Sequence, residues 1–251
     1  MSWPAGAALF GALAIANAAS AQVSTTDTTQ HRFHFDATTL RPGQFVYETT
    51  LERNSTTSIL GSRTVAVSRT TYNAMPAWLL LETRSNDGIP SVDSLLTDAT
   101  GLHPFHWSSA QGLARLGVEF RGDTAFGATA APSGRRSIVA VVPSGTIVSS
   151  AMLETALRML PLQTGWEDST TALSITLGNT TVVPVRLAVI GEDRVRVPAG
   201  TFDCWVVAVH ADASRGLYWV TKHDPEVVRS ALDVPSLGGA QLVSALSRVV
   251  W

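Results

Sequence analysis

The residues able to do chemistry are few and scattered. The chain holds one cysteine, Cys204, within the run RVRVPAGTFDCWVVAVHA from Arg194 to Ala211. A thiol becomes a nucleophile when a nearby cation or a helix N-terminus lowers its pKa. If the following DASR, Asp212 to Arg215, turns tightly so that Ala211 faces Gly216, Cys204 falls opposite His223 and a Cys-His pair on neighbouring strands results. The competing reading is a small buried hydrophobe. The surrounding pattern favours it, because Phe202, Cys204, Val206 and Ala208 share one face of a strand. Two H-x-x-H pairs occur, His31 with His34 and His103 with His106. On a helix that spacing puts both rings on one side, but Pro104 and the flanking residues read as strand, where positions three apart face opposite ways. No cysteine or carboxylate cluster completes a four-ligand set, so no metal is expected. Glu167 with Asp168, and Glu192 with Asp193, read as solvated turn carboxylates. The chain has no G-x-S-x-G elbow, no H-E-x-x-H, no phosphate-binding glycine loop and no S-x-x-K. It therefore names no catalytic residue and no cofactor.

The elements that must position these side chains are strands. Period-two alternation recurs along most of the chain, the mark of half-buried strands. QFVYETTLER sets Phe45, Tyr47 and Leu51 against Glu48, Thr50 and Glu52; ARLGVEFR sets Leu116, Val118 and Phe120 against Arg115, Glu119 and Arg121. Similar runs start at Arg63, Ala77, Arg136, Thr171, Thr181 and Gly216, and a last one ends the chain. Turn residues separate them at short intervals: Asn54-Ser55, Asn86-Asp87-Gly88, Gly122-Asp123, Pro132-Ser133-Gly134 and Gly178-Asn179. Val197-Pro198-Ala199-Gly200 has proline and glycine where a hairpin turn uses them. Parallel strands need long crossovers, for which there is no room. The expected fold is all-β: a curved antiparallel meander forming a barrel or half-barrel.

One segment departs from this period. SSAMLETALRML from Ser149 places Met152, Leu153, Ala156, Leu157 and Leu160 at helical spacing, with Ser149 or Ser150 as cap and Pro161 as stop. Glu154 and Arg158, one turn apart, are expected to pair on its exposed side. A single short amphipathic helix among strands is expected to cover or plug the open sheet.

Composition narrows the partners. Net charge is −2 and charged residues make up 15% of the chain, with no basic patch interleaved with aromatics, which speaks against nucleic acid. The opening MSWPAGAALFGALAIANAASAQ carries an apolar run from Ala5 to Ala16, then Ala19-Ser20-Ala21, a small-x-small site. It reads as a signal peptide, residues 1–21, cleaved after Ala21, although no basic side chain precedes the run. The run is too short for a membrane span, and no later segment is long and apolar enough, so no span is expected after cleavage. About 230 residues then remain, suited to one large β domain. Residues 22–39, rich in Ser and Thr, are expected to form a flexible arm, and residues 40–251 the domain. The protein is expected to be periplasmic or secreted.

What remains is apolar surface. Trp78, Trp107, Trp166, Trp205 and Trp219 fall in or beside expected strands. A half-barrel of this size can enclose a cavity, and these tryptophans, with Leu153 and Leu157 of the helix, are its candidate ligand-binding residues. The alternative is that they fill a solid core.

Four stretches, LRPG from Leu40, LPLQTGW from Leu160, VPAGTFDC from Val197 and YWVTKHDPEVVR from Tyr218, together resemble an uncharacterised family of exported bacterial β-proteins. That resemblance implies a curved antiparallel sheet similar to the half-barrels of periplasmic lipoprotein and lipid carriers, and it carries no enzymatic residues. Three functions follow as expectations. The first is an exported, non-catalytic protein that binds a lipid-like or other apolar small molecule under the sheet. The second is an envelope interaction or scaffold module that docks another protein at its strand edges. The third, least supported, is a hydrolase-type enzyme with dispersed catalytic residues.

Overall fold

Among the described residues, fourteen strands account for the alternation and one α-helix for the exception. The computed structural model describes residues 35, 37, 40–86, 89–175, 179–212 and 214–251. The expected signal peptide, His31 and His34 lie outside the described residues. The strands are β1 (Gly43–Arg53), β2 (Thr56–Tyr72), β3 (Met75–Asn86), β4 (Ile89–Asp98), β5 (Pro104–Gln111), β6 (Ala114–Arg121), β7 (Thr124–Ala131) and β8 (Gly134–Val141). After helix α1 (Ser150–Leu157) come β9 (Glu167–Ile175), β10 (Thr180–Val197), β11 (Gly200–Ala211), β12 (Ser214–Thr221), β13 (Val227–Val234) and β14 (Ala240–Val250).

All fourteen belong to one antiparallel sheet, ordered β8-β7-β6-β5-β4-β3-β2-β1-β14-β13-β12-β11-β10-β9. Each strand pairs with its chain neighbours except β8 and β9, which do not pair with each other, and the last strand returns to pair with the first, Phe45 opposite Val249. The fold is the expected curved meander, and it is not closed into a barrel: β8 and β9 are the two edges. The segment leading to α1 crosses toward the far edge. There the Ile147 N–H donates to the Thr171 carbonyl and the Leu173 N–H to the Ile147 carbonyl, both at 2.8 Å. Shape is helped by a close approach of β6 and β7, where a Cβ on Gly127 would lie 2.0 Å from the Gly117 carbonyl oxygen. Only glycine fits there.

Several turns are those expected. Asn54 and Ser55 have φ of 47° and 64°, the left-handed pair of a two-residue hairpin turn. Pro198 and Ala199 join Val197 to Gly200, which are paired, and Gly200 has φ of 147°. The Ala199 N–H reaches the Leu246 carbonyl at 3.0 Å, so this long hairpin bends back toward β14. Of the expected arm, residues 22–39, only Phe35 and Ala37 are described, and both are buried.

The concave face has a graded character. One row across the wing, Val67, Leu80, Leu95, Trp107, Val118, Gly127 and Ile138, is wholly apolar. The next row toward the other end, Val65, Glu82, Asp93, Ser109, Leu116 and Thr129, is partly polar although every member is buried. Beyond it Tyr47, Arg63 and Arg84 lie opposite one another on β1, β2 and β3.

Candidate functional site

The charged residues of that face meet α1. Ser149 caps the helix by accepting from the Met152 N–H at 3.1 Å, one of the two serines expected there. The helix ends at Leu157, before Pro161 is reached. Residues Ala151 to Leu157 are all buried, Glu154 and Thr155 included. The expectation of an exposed Glu154–Arg158 pair is thus overturned. The sheet curls around the helix, so it has no solvent face; Glu154 turns to Arg63 on β2, and Arg158 to Glu226 just before β13.

Three polar attachments result. At the helix start, Ser150 Oγ donates to Glu82 Oε2 at 2.8 Å and accepts from Arg84 Nη2 at 2.9 Å. In the middle, Glu154 Oε1 lies 2.8 Å from Arg63 Nη2. At the end, Arg158 Nη2 donates to Glu226 Oε1 at 2.7 Å while its guanidinium lies 4.5 Å over the Phe45 ring. Arg63 also reaches Glu82 Oε1 at 3.4 Å and stacks on Tyr47, whose hydroxyl donates to the Val227 carbonyl. Arg84 Nε holds Glu82 at 2.7 Å.

Burial decides how these groups ionise. Burial opposes the charge of Glu82, but Arg84, Arg63 and the Ser150 hydroxyl bring its pKa down to about 2. Burial, with Glu82 nearby, raises the pKa of Glu154 above the ordinary carboxylate value, which Arg63 and Arg84 only partly offset. Burial also raises Asp93. Glu226 is pushed up to about 7 by burial, which Arg158 only partly offsets. Burial raises both Tyr47 and Tyr218, so both stay neutral. Arg63, held between Glu154 and Glu82, remains charged despite its burial. Its Nε, and the Nε of Arg158, are buried without a hydrogen-bond partner.

The residues singled out by sequence are distributed as follows. Trp78, Trp107, Leu153 and Leu157 belong to one buried cluster under the sheet, and Trp219 is buried too. Trp166 and Trp205 are half-buried and pack on its margin. Trp219 pairs with Val206, so it faces away from the side that Trp205 occupies. Its indole N–H donates to Asp193 at 2.9 Å, and Arg229 lies over its ring. Two clefts, of about 190 and 270 Å³, open elsewhere. The first lies beside Phe35, Leu102, His103 and Met152, the second beside Arg136, Val139 and Thr180, and none of the tryptophans lines either.

Cys204 is packing. It is fully buried, and burial with Asp193 and Asp203 nearby pushes its thiol up to about 12, so it carries no thiolate at neutral pH. The expected register is two residues out. Ala211 pairs with Ser214, and Cys204 faces Thr221, because the turn is tighter than the one that pairs it with His223. His223 is exposed. His106 bonds Glu119 through Nδ1 at 2.8 Å, and no group of three or more metal-ligating side chains forms among the described residues. Glu192 and Asp193 are not free turn carboxylates: they lie in β10 and bind Lys222 and Trp219. Glu167 and Asp168 open β9.

The buried ionic cluster is a feature that the alternation does not announce, yet the sequence holds a signal of it. Arg63 is in phase with Val65 and Val67, and Glu82 with Leu80 and Trp78, so each charge continues an inward-facing series.

No helix among the described residues is long and apolar enough to cross a membrane. No curated protein and no solved structure matched the chain when it was compared with them. A family model described as protein of unknown function (DUF3108) matches residues 46–240, from β1 to the start of β14. The match spans the concave face, the plug helix and every partner of its charges, and the chain belongs to that uncharacterised family.

Proposed function

We propose that this is an exported, non-catalytic carrier that takes up an apolar or amphiphilic small molecule under the curved sheet, with α1 as the plug that leaves when the ligand enters. One observation carries the reading: the plug and its C-cap are attached by buried ion pairs, Glu154 to Arg63 of β2 and Arg158 to Glu226 just before β13. A helix meant only to fill a core is held at least as well by apolar contacts, since replacing buried ion pairs with hydrophobic residues is often neutral or stabilising. Ionic attachments make sense where the helix must also let go. The concave face supports the same reading, because apolar and polar rows lie side by side as an amphiphile requires. Trp78 and Trp107, with Leu153 and Leu157 lifted away, supply the apolar wall. The likeness to half-barrel carriers of the periplasm is an analogy of fold and adds support of that kind only. Export rests on the signal-like residues 1–21, with a periplasmic or secreted destination.

The test is native mass spectrometry of the chain purified gently from its own host, followed by organic extraction. A stoichiometric apolar adduct is expected, on a polypeptide beginning at Gln22. A clean apo mass, with no gain of fluorescence from an added apolar probe, overturns the carrier reading. A mass that retains residues 1–21 overturns export.

One observation favours the interaction module as a second reading. Val139 and Val141 on edge strand β8 are 70% and 72% exposed, beside the exposed Phe126 of β7. An apolar sheet edge of this kind suits strand addition by another protein. Loss of a co-purifying partner on Val139→Lys would identify it.

A further inference from the structure

The plug helix carries, on one short element, what an anionic amphiphile carries: Met152, Leu153 and Leu157 as apolar bulk and the Glu154 carboxylate as head group. That carboxylate sits on Arg63, which is 6% exposed, and Arg63 Nε has no hydrogen-bond partner. We infer that Glu154 occupies the head-group site of an anionic amphiphile, and that a carboxylate-bearing, single-chain ligand displaces α1 by replacing Glu154 on Arg63. This deepens the carrier reading above and rests on it.

The argument is one of charge complementarity. If α1 withdraws, Glu154 leaves with it, and Arg63 remains on β2 without its closest carboxylate, at the polar end of a face whose far row is apolar. A buried guanidinium without its anion is strongly unfavourable, so an empty cavity is disfavoured and a neutral ligand leaves the charge uncompensated. A carboxylate restores the pair, with the planar fork of Arg63 offering a second donor. Glu82 does not satisfy Arg63 by itself, because it is held more closely by Arg84, which stays on the sheet, at 2.7 Å against 3.4 Å to Arg63. The apolar row Leu80, Leu95, Trp107 and Val118 runs across the wing beyond the partly polar row of Glu82 and Asp93, where an acyl chain can lie.

The experiment titrates the full chain with 11-(dansylamino)undecanoic acid and, separately, with its methyl ester, following dansyl fluorescence at neutral pH. The wild type is expected to bind the acid more tightly than the ester. Glu154→Gln removes the competing carboxylate and is expected to tighten the acid by about tenfold, while changing the ester by no more than about twofold. Arg63→Gln is expected to abolish the preference for the acid. Equal tightening of acid and ester in Glu154→Gln overturns the head-group assignment and leaves the carrier reading standing, because it reports a loosened helix alone. Failure of both probes to bind any of the proteins overturns both. Should Glu154→Gln not fold, the wild-type ratio still decides: an acid-to-ester affinity ratio of one overturns the inference.

Discussion

The two wings of the sheet use the same kinds of charged residue in opposite ways. In the wing from β1 to β8, Arg63 and Glu82 point into the concave face, and their side chains are 7% and 0% exposed. In the wing from β9 to β14, Lys222 with Glu192 and Arg194 with Asp203 lie toward solvent, with Arg194 77% exposed. A charge held out of water must be matched, whereas one at the surface is already solvated. The buried ion pairs, those of the first wing and Arg158–Glu226 beside β13, therefore set where a helix can sit, whereas Lys222–Glu192 and Arg194–Asp203 only decorate the surface of the second wing.

The largest effect should come from breaking the first set. Arg63→Ala leaves Glu154 buried without a partner and is expected to cost about 3–5 kcal/mol in urea unfolding at pH 7. Part of that loss should return as pH falls, because Glu154 is already raised and then takes up its proton. The paired replacement Arg63→Met with Glu154→Leu is the sharper test. Stability close to wild type would mean that the ions are present for something other than stability. A loss as large as that of Arg63→Ala would remove the main argument for a detachable plug.

A somewhat smaller effect is expected from pH. Glu226 titrates near 7 when folded and at the ordinary carboxylate value when unfolded. The folded state therefore binds its proton more readily, so this group's contribution is full below the unfolded pKa and is lost as pH rises toward and through about 7. The expected loss between pH 4.5 and 7 is on the order of 2–3 kcal/mol. Glu226→Gln should flatten that slope in a series of denaturant melts, and a slope unchanged by the substitution assigns the titration elsewhere. Glu82 acts with the opposite sign: its pKa is held down near 2, so its contribution is lost as pH falls below the ordinary carboxylate range.

The same contrast explains what the sequence could reveal. Period-two alternation was enough for the curved antiparallel sheet, because most strands show one face to the core and one to water. β4, β7 and β13 were not singled out. Their inward positions include Asp93 in β4 and Ala125 in β7, and β13 opens with Val227 and Val228 side by side, so alternation of hydrophobicity fails there although alternation of direction persists. The helix was legible as a helix but not as an enclosed one. Its Glu154 and Arg158 look like an exposed turn-to-turn pair until the curvature of the sheet is known, and curvature is set by register and bulges that no local pattern encodes. The error at Cys204 was of the same origin. A hairpin turn shorter than assumed moved its partner from His223 to Thr221.

Cys204 gives the next smaller effect. With a thiol pushed up to about 12, it should resist an aromatic disulfide reagent at pH 8 until the protein unfolds. Cys204→Ser puts a hydroxyl into that fully buried position and is expected to cost about 1–3 kcal/mol. Rapid labelling of the native protein would mean that this part of β11 opens readily.

The smallest effect should come from the second wing. The Lys222 ammonium lies 4.3 Å from the centre of the Trp205 ring and pairs with Glu192, whose side chain is 52% exposed. Solvent screens such a pair, so Lys222→Ala is expected to cost no more than about 1 kcal/mol. Lys222→Met separates the two contributions, because it keeps the apolar stem over Trp205 and removes only the charge. If Lys222→Met is indistinguishable from wild type in urea melts while Lys222→Ala is not, packing on the indole is what matters. If both lose several kcal/mol, burial is not what distinguishes the wings, and the argument that buried ions position the helix loses its basis.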